Sequence, residues 1–163
     1  LIVGYNELRG AGDDRSGSHN LVVGKEHNFS SFGGLLAGQR NTVSGGWSSV
    51  SGGRLNAASG LLSSVSGGAF NEASGNYSSV SGGIGNTASA NYASVSGGEF
   101  NTASGNYASV SGGRFNAASG NYASVSGGRF NIASGTYSSV SGGNSRSALN
   151  TDDWVAGALF ENN

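Results

Sequence analysis

Val50, Val65, Val80, Val95, Val110, Val125 and Val140 each sit in Ser-Val-Ser-Gly-Gly and recur every 15 residues without one slip. The unit reads Ser-Val-Ser-Gly-Gly-x-Phe-Asn-x-Ala-Ser-Gly-Asn-Tyr-x. Fifteen residues cannot hold a helix-turn-helix repeat, and Gly-Gly plus Ser-Gly in each unit leave no helix of useful length between breakers. Short strands between glycine corners remain. Such strands satisfy their backbone by lying on those of the next unit, so the period predicts an all-β, parallel β-solenoid. Composition agrees. With 31 Gly, 31 Ser and 18 Asn among 163 residues, about half the chain carries almost no hydrophobic payload, which excludes an ordinary globular core. The strict register separates this Gly/Ser excess from disorder.

Columns run through the repeat like the rungs of a ladder. Asn56, Asn71, Asn86, Asn101, Asn116 and Asn131 form one, and Ala58, Ala73, Ala88, Ala103, Ala118, Ala133 and Ala148 another. One aromatic column runs Leu55, Phe70, Gly85, Phe100, Phe115, Phe130. A second runs Trp47, Leu62, Tyr77, Tyr92, Tyr107, Tyr122, Tyr137. Val155 and Phe160 continue the register into a degenerate last turn. Upstream, Gly52, Gly38 and Gly24 step back by 14, with Asn41 and Asn28 soon after two of them. Gly4 lies 20 further back, and the surplus is expected to bulge out around Gly10–Ser16, where turn formers cluster. The chain thus divides into an irregular N-terminal turn (1–19), regular repeats (20–148), and a last turn with a cap (149–163). The Gly anchors from Gly4 to Gly157 enclose about ten turns, a rod of about 48 Å at ~4.8 Å per strand.

Strand alternation points Val inward with the small residue two before it (Ser78, Ala93, Ala108, Ala123), and Tyr and both Ser outward. Along x-Phe-Asn-x-Ala, Asn and Ala share the inner face. Phe then shares the outer face with Glu72, Thr87 and Thr102. The expectation is a thin core of Val, Ala and Asn, Gly corners outside, and two aromatic stripes on the surface. A left-handed bend at Asn would instead turn Phe into the core. Stacked Asn amides can pass hydrogen bonds from turn to turn, and stacked rings can offset-stack. An apolar stripe of this length on a soluble rod calls for a second chain to cover it.

Several chemistries find no footing. Without Cys there is no disulfide framework, thiolate site or cysteine nucleophile. A net charge of −1 with 8 Lys+Arg offers nothing to a polyanion, so no nucleic-acid partner is expected. No apolar run approaches the roughly 20 residues of a membrane span. A chain beginning at Leu1 reads as a processed product or a fragment. His19 and His27 have no carboxylate or nucleophile fixed beside them. Asp13-Asp14 and Asp152-Asp153 fall short of a calcium shell and read as cap charges. Asp152, Asp153 and Trp154 replace the Tyr-x-Ser positions of the last turn and are the expected cap. Glu99 can pair with Arg114 one turn on, whereas Arg129 then faces a like charge. No enzyme, metal or cofactor is expected.

Ser-Val-Ser-Gly-Gly followed by Asn-x-Ala-Ser-Gly resembles the head repeat of trimeric autotransporter adhesins over about residues 20 to 148. Val22-Val23-Gly24 and Leu36-Ala37-Gly38 come closest to that family's Val-Ala-Ile-Gly strand. The resemblance implies a left-handed parallel β-roll and three chains side by side. The chain departs from the family in having Gly52, Gly67, Gly82, Gly97, Gly112, Gly127 and Gly142 where a second inward aliphatic stands. It departs also in its Phe and Tyr columns, and in lacking a neck motif and heptad stalk. A related secreted solenoid with laterally or axially packed rods fits the same residues. The functional expectation is a non-catalytic, extracellular or cell-surface structural or adhesive module. It would associate with itself through the aromatic ladders, as a trimer or a fibre, with matrix proteins or glycans as further partners. The rival is an ice-binding β-solenoid displaying the Ser64, Ser79, Ser94, Ser109, Ser124, Ser139 column.

Overall fold

In a computed structural model describing residues 1–4, 7–10 and 12–157, every element is a short strand and every strand pairs in parallel with those of the neighbouring turns. The first sheet has eleven strands, beginning with Ile2–Val3, Leu21–Lys25 and Leu35–Gln39. It continues through Ser-Val pairs from Ser49–Val50 to Ser139–Val140 and ends at Trp154–Val155. The second has nine strands, from Asn28–Phe29 and Thr42–Val43 through Ala57–Ala58 to Ser147–Ala148. Single-residue parallel pairings from Gln39 through Arg54, Ala69, Ile84, Glu99, Arg114 and Arg129 to Asn144 make a third ladder. The fold is the all-β parallel solenoid that the 15-residue period requires, with about nine turns rather than ten. Among the described residues the first strand, Ile2–Val3, and the last, Trp154–Val155, are not followed by a strand of the second sheet.

Register is fixed residue on residue: Ser79 pairs with Ser94, Val80 with Val95 and Ala88 with Ala103. The backbone bonds follow, as Ser94 N–H donates to the Ala108 carbonyl at 2.9 Å and Ser96 N–H to Val110 at 3.0 Å. Each regular 15-residue turn contributes Val, Ala and Asn to the interior, all but fully buried. The column Ser78, Ala93, Ala108, Ala123 is buried with them, as alternation requires. In the 15-residue repeats side chains this small let the two sheets close on each other, while the 14-residue turns bury the larger Phe29 and Leu36.

Three expectations need correction. The glycines of Ser-Gly are not outer corners: Gly60, Gly75, Gly105 and Gly120 are buried. A Cβ on Gly105 would stand 2.0 Å from the Gly120 carbonyl oxygen of the next turn, so this position admits the backbone only. Second, Gly53 and not Gly52 lies over Gly38. Leu36 pairs with Val50 but Gln39 with Arg54, so Gly52 is the residue that lengthens a 14-residue turn to 15. Third, the N-terminal surplus does not simply bulge away. Gly17 N–H and Ser18 N–H donate to the Phe29 and Ser31 carbonyls, and Phe29 N–H to Asp14, so residues 14–18 run along the edge of the second sheet. Phe160, expected to continue the Phe column, lies outside the described residues.

Candidate functional site

Both aromatic columns stand on the surface, so strict alternation holds and the Phe column is not core. The Tyr rings of the second column are 47–57% exposed. Bending is done by the ring-bearing residues themselves and not by Asn: Phe70, Phe100, Phe115 and Phe130 have φ of 53–58°, and Tyr77, Tyr92, Tyr107, Tyr122 and Tyr137 of 58–59°. Left-handed backbone costs an L-residue with a bulky side chain roughly 1–2 kcal/mol. The regular turns carry that cost at two corners, except where Gly85 stands at one of them. Nothing in the sequence signals it, since aromatic residues are poor candidates for this conformation.

Stacking offsets part of the cost. Tyr77, Tyr92, Tyr107, Tyr122 and Tyr137 form one continuous pile with centroids 4.7–4.9 Å apart and planes within 16°. Such contacts are worth about 0.5–1.5 kcal/mol per pair beyond burial. Trp47 does not join the pile. Leu62 stands between it and Tyr77, and its ring meets Phe32 edge-on at 4.9 Å and 80°. In the other column Phe100, Phe115 and Phe130 stack at 5.2 Å, while Gly85 separates Phe70 from them.

The two stripes differ electrostatically. Arg54, Arg114 and Arg129 place their guanidinium groups 5.6, 5.0 and 5.4 Å from the ring centres of Phe70, Phe115 and Phe130. Glu99 pairs with Arg114 at 2.9 Å, as its column predicts, in an exposed contact that contributes little. The Tyr stripe has no such company. The segments 44–53, 59–68, 74–83, 89–98, 104–113, 119–128 and 134–143 contain no charged residue. They hold the Tyr column and the outer side of the first sheet. The charges between residues 41 and 145 are Arg54, Glu72, Glu99, Arg114 and Arg129, all on the remaining third of the turn.

The Asn column is an internal ladder. Asn116 N–H donates to Asn101 Oδ1 at 3.0 Å, and Asn101 Nδ2 donates to the carbonyls of Gly97 and Gly113, both at 2.9 Å. Asn56, Asn71, Asn86, Asn116 and Asn131 repeat the pattern. The column starts further upstream than Asn56, at Asn41. The residue above Asn41 is His27 and not Asn28, which pairs with Thr42. His27 copies the amide: its Nδ1 accepts the Asn41 N–H at 3.2 Å and its Nε2–H donates to the Val23 carbonyl at 3.2 Å. Burial pushes the imidazole below its ordinary pKa, keeping it neutral in this role. The spacing of 14 from Asn41 could have found it.

At the C-terminal end Asp152 takes the Tyr position, with φ 61°. Asp153 Oδ2 accepts the N–H groups of Leu149 and Asn150 at 3.1 and 2.8 Å, and Trp154 Nε1–H donates to Ser141 Oγ at 2.8 Å. Asp153 thus binds the last described turn to itself, while Trp154 and the Asp152 N–H, which donates to the Thr136 carbonyl, tie it to the turn before. Near the N-terminus Glu26 and Arg40 occupy the Phe column and pair at 2.9 Å, which holds the Glu26 carboxyl below the usual range. Asp13 pairs with Arg15 instead of gathering other acids. Among the described residues no group of three or more His, Asp or Glu could hold a metal ion. A scan of protein-family models finds none that matches this chain, and a search of curated proteins finds no relative.

Proposed function

We propose that this rod is a non-catalytic structural or adhesive module of a cell surface or secreted fibre, and that it associates with further copies of itself through its exposed aromatic ladders. The observation carrying this reading is the Tyr pile, half exposed and unbroken from Tyr77 to Tyr137. Contacts repeated on every turn give binding strength by multivalency, without a pocket. A side-by-side trimer is the arrangement favoured by the resemblance to adhesin heads, with lateral or head-to-tail fibre packing as its variant.

Ring orientation bears on the partner. Each Tyr face is covered by its neighbours at 4.7–4.9 Å, so only edges and hydroxyls point outward along the pile. A glycan, which stacks on a ring face, finds a free face only at the two ends. Protein contact suits edges and hydroxyls better, so matrix proteins are the stronger candidates for an external ligand.

Ice binding is the second reading, favoured by one observation. The outer side of the first sheet displays two Ser columns, Ser64, Ser79, Ser94, Ser109 and Ser66, Ser81, Ser96, Ser111, in register from turn to turn. Sedimentation velocity from 1 to 100 μM, with electron microscopy and a thermal-hysteresis assay, separates the readings. Association into trimers or filaments supports the first. A monomer with hysteresis replaces it by the second, and a monomer with neither activity refutes both.

A further inference from the structure

We infer that the two aromatic stripes have different uses: the Tyr stripe with the Ser columns beside it is the face that meets a second copy of this chain, and the Phe stripe stays in solvent. This rests on the self-association proposed above and assigns its surface. The observation is the segregation of charge around the rod. Across the seven segments from 44–53 to 134–143 the Tyr-Ser face carries no Lys, Arg, Asp or Glu, while the other side carries both signs. At ~4.8 Å per turn the uncharged strip from Trp47 to Tyr137 is about 29 Å long.

An exposed face gains solubility from charge, and charges along a sheet discourage other chains from docking. A face that another protein will dehydrate follows the opposite rule, because an unpaired charge buried there is costly. The Phe column follows the first rule. Its rings lie under Arg54, Arg114 and Arg129, and its neighbouring outward column holds Glu72. Phe115 is thereby partly covered within the chain, at 39% exposed, whereas the Tyr edges from Tyr77 to Tyr122 have uncharged neighbours such as Asn76, Asn91 and Asn106.

The occupant is a second copy, because the face repeats once per turn along its whole length and another rod has the same repeat. Tyr edges and hydroxyls of one rod then meet Ser and Asn of the other on every turn. A globular partner with no such period could match only one or two turns.

The test places two cations on each face, three turns apart, so that they do not repel within one rod. Ser81→Lys with Ser126→Lys changes exposed positions of the Tyr-Ser face, and Thr87→Lys with Ile132→Lys changes the column that already bears Glu72. Circular dichroism and melting first establish that both variants fold. Like charges brought together in an interface cost several kcal/mol, so self-dissociation measured by sedimentation equilibrium should weaken at least 100-fold in the first variant. It should change less than threefold in the second. Equal weakening in both, or weakening only in the second, overturns the assignment of the face and leaves self-association standing. Should the unaltered rod stay monomeric to 100 μM, self-association and this assignment fail together. If the first variant misfolds, Ser96→Lys alone gives the same reading, with about a tenfold loss expected.

Discussion

Replacing Asn101 by Ala should be among the most destabilising single changes in the rod, though it removes a polar group from a core. The Asn101 side chain is fully buried and makes three hydrogen bonds, to Asn116 N–H and to the Gly97 and Gly113 carbonyls. Gly113 keeps the Glu99 N–H at 2.9 Å. Asn116 N–H loses its bond in the buried interior, at about 1–3 kcal/mol, and the half-buried Gly97 carbonyl loses one at smaller cost. With the cavity added, the loss comes to about 3–5 kcal/mol, or a fall in Tm of roughly 8–15 °C. Asn101→Asp sharpens the test. The aspartate keeps an acceptor for Asn116 N–H but turns a second anionic oxygen toward two carbonyls, so its folded pKa must rise above the unfolded value near ~3.9. The folded state then binds more protons, and stability falls as pH rises above about 4, the reverse of ordinary acid sensitivity. Denaturant titrations at pH 4 and pH 7, with amide exchange at Asn116, read both effects. A cost below about 1 kcal/mol for Ala, or an Asp variant equally stable at the two pH values, would refute the ladder as a source of stability.

The two glycines of each Gly-Gly should respond oppositely. Gly67→Ala meets no atom within 4 Å and should leave the midpoint of denaturation within about 0.5 kcal/mol. Gly68→Ala has φ +82° and puts its Cβ 2.1 Å from the Gly83 carbonyl oxygen, so a loss above about 3 kcal/mol is expected. His27 is held below its ordinary pKa chiefly by burial, so the folded protein binds fewer protons than the unfolded chain. Its contribution is complete above pH ~6.5 and declines below it by up to ~1.4 kcal/mol per pH unit, until the folded pKa is reached. Exchange at Asn41 N–H should therefore speed up between pH 6.5 and 5, and His27→Asn should abolish that dependence. The carboxylates of Asp14 and Glu26, also held low, respond only further into acid.

Much of this fold is legible because translation repeats each decision. Val at every fifteenth position and Asn six residues later leave one arrangement in which identical residues stack, and alternation then sorts Val80, Ala88 and Asn86 inward from Tyr77 and Phe70 outward. Where the repeat is imperfect the sequence is less explicit. Gly52 and Gly53 are chemically identical, so which one is extra depends on the pairing of Gln39 with Arg54. His27 looks like a stray titratable group until Asn41 is seen to need an acceptor above it.

The corners were the least legible part, and their energetics bear on what the rod does. A column of glycine would remove the left-handed strain at no steric cost, as Gly85 does at φ 66° in one turn of the Phe column. From Tyr77 to Tyr137 the other column instead keeps a ring at every turn, each with φ of 58–59°. Strain of roughly 1–2 kcal/mol per corner is met by stacking of about 0.5–1.5 kcal/mol per pair, and burial of the inner half of each ring adds to the favourable side within the single chain. What a ring adds and glycine cannot is the half of its surface that remains exposed. In the association proposed above, that half would be buried as well.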